Sequence, residues 1–417
     1  GDAPAGHPRA CCDLGGVMSA PVVPPRTRPS VAAWAVFVTF ALNGLAFASF
    51  ASRVPAVRDA LDLQPAQMGL LMLAVSAGAL SAMPLSGMVV QRLGARRTIL
   101  TFAAANGVGL VTAAAMIAAH QVGATAVALV LVGMGTGVWD AAMNIEGAAV
   151  EQALGRAIMP RFHAGFSFGT IVGAGLGAVA AAVHAPLLVH LGLVLPLGYV
   201  ALLVCSRSFL PEGTHDAHPD DAASRPASAW REPRTVLIGV VVLAAALTEG
   251  AANDWVGLAV VDGFGVGNDV GALGFALFVT AMTAMRLLGT GLLDRLGRVA
   301  VLRVMAVLSI GGLLLFGLAP VLWLAAIGVV LWGMGAALGV PVGMSAASDD
   351  PRRAPARVAV VATIGYSAFL AGPPLLGLLA DVVGYRHALL AIVVPVLIGL
   401  FVIPAAKPLP TAAGSAR

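Results

Sequence analysis

Asp140 and Asn144 stand four residues apart, as do Glu249 and Asn253, and each pair falls inside a long apolar run. That spacing puts both members of a pair on one face of a helix, a turn apart. A carboxylate beside a carboxamide can hold an exchangeable proton and hydrogen-bond a hydroxylated solute, and Asn43, in a third apolar run, could join them. Arg286 sits in a fourth run with no acidic residue three or four positions away. Its guanidinium needs a carboxylate from another segment, an anionic substrate, or a route by which the long side chain reaches water. His163 opens a fifth run, where a lone histidine serves either as a proton relay or as a cap on the helix start. Glu146 and Asp254 lie near run ends or off these faces and read as solvated or paired charges. The rings of Trp139, Trp255 and Tyr366 could stack on a sugar or fill a core.

Other chemistries lack their residues. The sequence has no phosphate-binding P-loop, no HExxH metal helix and no GxSxG element, so it does not read as an enzyme or an ATP-driven pump. Cys11, Cys12 and Cys205 have no partner at metal-ligand or redox spacing, and His215 and His218 fall in an acidic stretch, HDAHPDD, that reads as solvated linker. No metal and no cofactor is expected, a proton being the coupling ion. The net charge of +4 is spread without a basic run, which argues against a nucleic-acid partner.

The elements that must position these groups follow from composition. Charged residues are 11% and the AVILMFWYC set 59%, against roughly a quarter charged in a soluble domain. So apolar a surface needs lipid as its solvent. Twelve stretches reach the roughly 20 residues needed to cross a bilayer: 31–52, 67–90, 98–118, 123–147, 163–184, 186–206, 235–259, 271–293, 299–318, 321–346, 357–380 and 387–406. The expected fold is an all-α membrane protein. The first stretch is too long for a signal-peptide core and reads as a signal anchor, while residues 1–17, ahead of Met18, are set aside as upstream sequence.

With the N-terminus inside, 20 of the 24 Arg and Lys fall on the cytoplasmic side, only Arg53, Arg58 and Arg386 lie outside, and Arg286 is within a span. This bias predicts a multi-pass protein of a bacterial inner membrane with both termini cytoplasmic. The chain divides into a tail (1–30), a six-helix half (31–206), a cytoplasmic linker (207–234), a second six-helix half (235–406) and a tail (407–417). Arg92-Leu-Gly-Ala-Arg96 returns as Arg295-Leu-Gly-Arg298, and Leu131-Val-Gly-Met-Gly135 as Leu331-Trp-Gly-Met-Gly335, at offsets of 203 and 200 residues. Two pseudo-symmetric halves follow, with a substrate site between them near the bilayer midplane. Aligned on Gly-Met-Gly, Asp140 corresponds to Val340 and Asn144 to Met344, so the carboxylate is not a feature the repeat itself requires.

The segment Gly87-Met-Val-Val-Gln-Arg-Leu-Gly-Ala-Arg-Arg97 resembles the loop signature G-x-x-x-D-R-x-G-R-[RK] of the major facilitator superfamily. The resemblance implies gating loops at Gly87, Arg92, Gly94, Arg96 and Arg97 and, in the second half, at Asp294, Arg295, Gly297 and Arg298. Two positions depart from it: Gln91 takes the Asp position, and Thr290 takes the first Gly position of the second copy. Gly137-Val-Trp-Asp-Ala-Ala-Met-Asn144 and Phe162-His-Ala-Gly-Phe-Ser-Phe-Gly169 are similar to spans 4 and 5 of fucose-permease-like sugar:proton symporters. The chain as a whole looks like poorly characterised bacterial inner-membrane transporters near that branch. The resemblance implies a monomeric secondary active transporter with a small-molecule substrate, working by alternating access. The leading expectation is proton-coupled uptake of a small neutral solute such as a sugar or polyol. The alternative is proton-coupled export of amphipathic or cationic compounds. A receptor or scaffold would need a sensory domain that the short soluble segments do not supply.

Topology is open to a direct test. Cysteines at Ala217 and Val266, in a background lacking the native cysteines, are expected to respond oppositely to an impermeant thiol reagent on whole cells. Val266→Cys should label and Ala217→Cys should not; the reverse pattern would invert the orientation.

Overall fold

The computed structural model describes residue 1 and residues 28–155, 158–211, 229–350 and 353–409. Cys11, Cys12, His215, His218 and most of the linker lie outside these residues. Among the described residues, twelve helices are long and apolar enough to cross a membrane. They are α1 (Pro29–Leu61), α2 (Pro65–Leu93), α3 (Ala95–Ala118), α4 (Val122–Leu154), α5 (Met159–Ala182), α6 (Leu187–Ser208), α7 (Pro233–Phe264), α8 (Asn268–Leu296), α9 (Arg298–Leu318), α10 (Leu322–Ala347), α11 (Ala354–Val383) and α12 (Tyr385–Ala406). Each expected span is present, but α1, α4 and α7 run several residues past the ends that hydropathy marks. The extensions carry charge, including Arg53, Arg58, Glu151 and Asp262. Hydropathy marks only the part of a helix that lies in hydrocarbon, whereas the backbone hydrogen-bond ladder continues into water. Large apolar side chains face outward, Val382 at 81% and Phe401 at 80% exposed, an arrangement that lipid solvates and water would not.

The repeated Gly-Met-Gly landmark has a packing cause. A Cβ at Gly133 of α4 would strike the backbone of Val75 on α2, and one at Gly333 of α10 would strike the backbone of Phe278 on α8. Gly135 and Gly335 stand in the same relation to Asn106 on α3 and Ser309 on α9. In each half the central helix therefore admits one neighbour at the first glycine and another at the second, the close approach that membrane helices use in place of a hydrophobic driving force. The fold is two pseudo-symmetric six-helix halves.

The halves meet where α2 packs on α11 and α5 on α8. At one face they are also tied by polar contacts. Asn268 donates to Asp59 (2.9 Å), the Ala66 backbone N–H donates to Asp381 (3.1 Å), and Arg58 lies 3.6 Å from Asp262 and over the Tyr385 ring. At the opposite face, which carries Arg92, Arg96, Arg97, Arg295 and Arg298 and is here called the basic face, no hydrogen bond or ion pair among the described residues joins one half to the other.

Both turns of the basic face depend on glycine. Gly94 has φ 79° and ψ 155°, and Gly297 has φ 76° and ψ 163°, a region essentially closed to residues with a Cβ. A Cβ at Gly297 would meet nothing within 4 Å. Gly297→Ala should therefore cost about 1–3 kcal/mol through torsional strain alone. Gly291→Ala, in the helical part of α8 with the same free space, should be neutral or stabilising by up to about 1 kcal/mol. Thermal unfolding of the two variants in detergent should move in these different directions; equal midpoints would remove the torsional account.

Candidate transport site

Two neighbouring lobes lie between the halves. The first, about 260 Å³, is lined by Asn43, Phe47, Thr136, Asp140, Phe166, Ser167, Thr170, Glu249, Asn253, Val279, Met282 and Arg286. The second, about 310 Å³, shares Phe47, Thr136 and Asn253 with it and adds Asp254, Asn106, Ser76, Tyr366 and Phe369 among mostly apolar groups. Of the residues that the sequence singles out for solute or proton, Asn43, Asp140, Glu249 and Asn253 therefore converge on one space. Asn144 does not: its Nδ2 donates to the Asp140 carbonyl oxygen at 2.8 Å, and it lines neither lobe. Four-residue spacing sets the face of a helix correctly, but a short amide can turn back on its own backbone.

Glu249 and Arg286 form the one ion pair of the first lobe among the described residues. The Arg286 Nη2 donates to both Glu249 oxygens at 3.1 and 2.9 Å, and its Nε donates to the carbonyl of Ala337 at 3.1 Å. That carbonyl is available because α10 breaks into Leu322–Ala336 and Gly339–Ala347, and because Pro341, four residues on, has no N–H to offer it. The partner that Arg286 requires comes from α7. One guanidinium thus ties α7, α8 and α10 together.

Asp140 has no such partner. Among the described residues no hydrogen bond or ion pair reaches its carboxylate, though it lines the first lobe and lies near enough to Tyr366 to interact with it electrostatically. Asp254 is likewise unpaired and lines the second lobe, where the sequence reading had it solvated or paired away from the cavity. The cavity wraps far enough around α7 to reach both Asn253 and its neighbour, so two adjacent residues meet it. Glu146 is buried, its Oε1 accepting the Leu210 backbone N–H at 2.9 Å. Thr136, Ser167 and Thr170 are further polar lining groups that carry no charge to mark them in an apolar run, though Thr136 precedes Asp140 by one helical turn. Trp139 and Trp255 are buried in their own halves at 4% and 2% exposure, and of the three flagged rings only Tyr366 faces a lobe. His163 lines neither lobe; it packs edge-on against Phe40 with centroids 5.2 Å apart and lies near enough to Arg286 to feel its charge.

The gating-loop positions behave differently in the two halves. Arg298 donates to both oxygens of Asp349 at 2.9 and 3.0 Å, and Arg234 reaches the same carboxylate at 2.7 Å. Beside them Arg357 donates to Glu232 at 2.6 Å, a hydrogen bond that outweighs partial burial and holds the Glu232 carboxyl below its usual range. Arg92, Arg96, Arg97, Asp294 and Arg295 are exposed and have no polar partner among the described residues. Gly87 is exposed too, on the last helical segment of α2, Ser86–Leu93.

Twelve spanning helices in two related halves around a polar cavity define a secondary transporter. The chain belongs to the Major Facilitator Superfamily, whose family model matches residues 36–358 and 242–416. It is 35% identical over 368 residues to an uncharacterized transporter, y4wD, of Sinorhizobium fredii, covering 86% of this chain and 96% of that one. Its fold is similar to the crystal structure of a point mutant of the nucleoside transporter NupG, with a TM-score of 0.72 at 15% identity over 91% of this chain and 99% of that one. It also resembles a point mutant of the Escherichia coli fucose:proton symporter FucP, with a TM-score of 0.63 at 14% identity over 91% and 99%. The protein is a multi-pass membrane transporter of this superfamily, not an enzyme, and its substrate is a small molecule.

The Glu249–Arg286 pair can be separated from the rest of the site by stability. The two side chains are 20% and 28% exposed, so removing one partner should cost about 2 kcal/mol, below the range for a fully buried pair. Glu249→Gln and Arg286→Gln should each lower the unfolding midpoint, and the double variant should lose less than the two single losses combined. Strict additivity would mean that the pair does not couple.

Proposed function

We propose that the protein is a proton-coupled transporter of a small solute of the sugar or polyol kind, and that Asp140 carries the coupled proton. The observation that carries this reading is an unpaired carboxylate on a wall of amides and hydroxyls contributed by both halves, with Asn43, Thr136, Ser167 and Thr170 from one and Asn253 from the other. An uncompensated charge inside a membrane is costly, about 2.5–3.5 kcal/mol on insertion scales, and marks an ion or substrate path. The lobe's volume of about 260 Å³ lies just below the 300–1,000 Å³ typical of drug-sized sites, which favours a small solute. Asn43, Asn253 and the hydroxyls would hold the solute, while Glu249 and Arg286 keep the second half's wall in shape.

In this reading the protein acts as a monomer in a bacterial inner membrane with its termini and the 207–234 linker in the cytoplasm. The basic face is then cytoplasmic and the tied face periplasmic. The loops at Gly87–Arg97 and Asp294–Arg298 would close the cytoplasmic side in turn. Uptake follows from a proton gradient directed inward. Export of an amphipathic or cationic compound is the second reading, favoured by the apolar lining and lone carboxylate of the second lobe.

A stabilisation screen over sugars, polyols, amino acids and cationic drugs would identify the solute, and Asp140→Asn then tests the mechanism. The amide keeps size and hydrogen bonding but is fixed in a neutral state. Accumulation driven by an imposed pH gradient in proteoliposomes should vanish while solute binding and exchange persist. Full gradient-driven accumulation by an Asp140→Asn variant that melts like the parent would remove Asp140 from the proton path.

A further inference from the structure

The second lobe holds a carboxylate that the transport scheme above does not use. Asp254 has no hydrogen bond or ion pair among the described residues. The fixed cation lining the first lobe, Arg286, is already held by Glu249. The lobe therefore presents two carboxylate oxygens that no donor among the described residues satisfies. Around them stand aromatic rings, Phe47, Phe50, Tyr366 and Phe369. An anion would be repelled there, and a neutral hydroxyl would leave the charge of Asp254 uncompensated. A cation that also donates hydrogen bonds satisfies the carboxylate and the ring faces together.

Resting on the reading of this cavity as the transport site, we propose that the Asp254 lobe is a subsite for a protonated amine carried by the solute. Because the lobes share Phe47, Thr136 and Asn253, one molecule can place its amine at Asp254 and its hydroxylated remainder against Asn43 and Ser167. The solute is then an amino derivative of a sugar or polyol, in place of the neutral one that the sequence pointed to. The charges also balance. Two unpaired carboxylates face the cavity, and one bound cation plus one proton on Asp140 neutralise both.

Two measurements test this. In a background with Cys11, Cys12 and Cys205 replaced by Ser, Ser76→Cys places a thiol in the second lobe. Its rate of modification by a trimethylammonium methanethiosulfonate, relative to a neutral methanethiosulfonate, should exceed the ratio for free cysteine about tenfold, since a cleft of one charge sign concentrates the opposite ion by that factor or more. Asp254→Asn should abolish the excess. An excess that survives Asp254→Asn overturns the subsite and leaves the role of Asp140 standing. In a stabilisation assay on purified protein, D-glucosamine is expected to raise the unfolding midpoint more than D-glucose, and Asp254→Asn to erase the difference. D-glucose stabilising parent and variant as well as D-glucosamine does would overturn the amine assignment while supporting transport of a neutral sugar.

Discussion

A guanidinium in the middle of a membrane helix has to be neutralised and hydrogen-bonded by its neighbours, and the second half of this protein is arranged around that demand. Arg286 takes both carboxylate oxygens of Glu249 on α7 and the carbonyl of Ala337 on α10. The carbonyl is available because Pro341 breaks the ladder of α10. Three helices are thus fixed against one another by a single side chain. What remains in the cavity is net negative, because the arginine's charge is used up and Asp140 and Asp254 have no fixed counter-charge among the described residues.

Symmetry explains the scaffold, and departures from it explain the site. The glycines at 133, 135, 333 and 335 make the same helix contacts in both halves, and the turns at Gly94 and Gly297 share one positive-φ backbone conformation. The groups that could do chemistry do not repeat. Asp140 has Val340 as its counterpart, and Asp349, which gathers Arg298 and Arg234, has Ala149. Each half is built by a common packing rule and then given its own charges, so the two walls of the cavity present different partners to one solute.

The scaffold was therefore the legible part of the sequence. Span number and the Gly-Met-Gly repeat follow from hydropathy and from glycine spacing, both of which act locally along the chain. Helix periodicity also brought Asn43, Asp140, Glu249 and Asn253 to one cavity. It failed at Asn144, whose amide turns back to a carbonyl, and at Asp254, because a cavity between two halves can reach more of a helix than one face. The partner of Arg286 was invisible for a different reason. It lies 37 residues away on another helix, and only tertiary packing brings the two together.

The same balance of charges gives the proposed transporter a physical basis for coupling. The polar ties at the tied face involve partly exposed groups, Arg58 and Asp262 being 16% and 52% exposed, and exposed pairs of this kind are worth about 0–1 kcal/mol each. Such ties yield readily to a change in the cavity. Enclosing two uncompensated carboxylates away from water costs several kcal/mol, more than the ties can offset. An empty cavity can keep the water that solvates both carboxylates, whereas a bound solute displaces that water and leaves any carboxylate it does not neutralise uncompensated in the occluded form through which the halves must pass. A proton on Asp140 and a donor cation at Asp254 remove that penalty together, whereas either one alone leaves a buried charge. The barrier to the return of a half-loaded carrier is then electrostatic, and no dedicated latch at the basic face is needed to enforce it, which accords with Gln91 standing where a gating carboxylate would be.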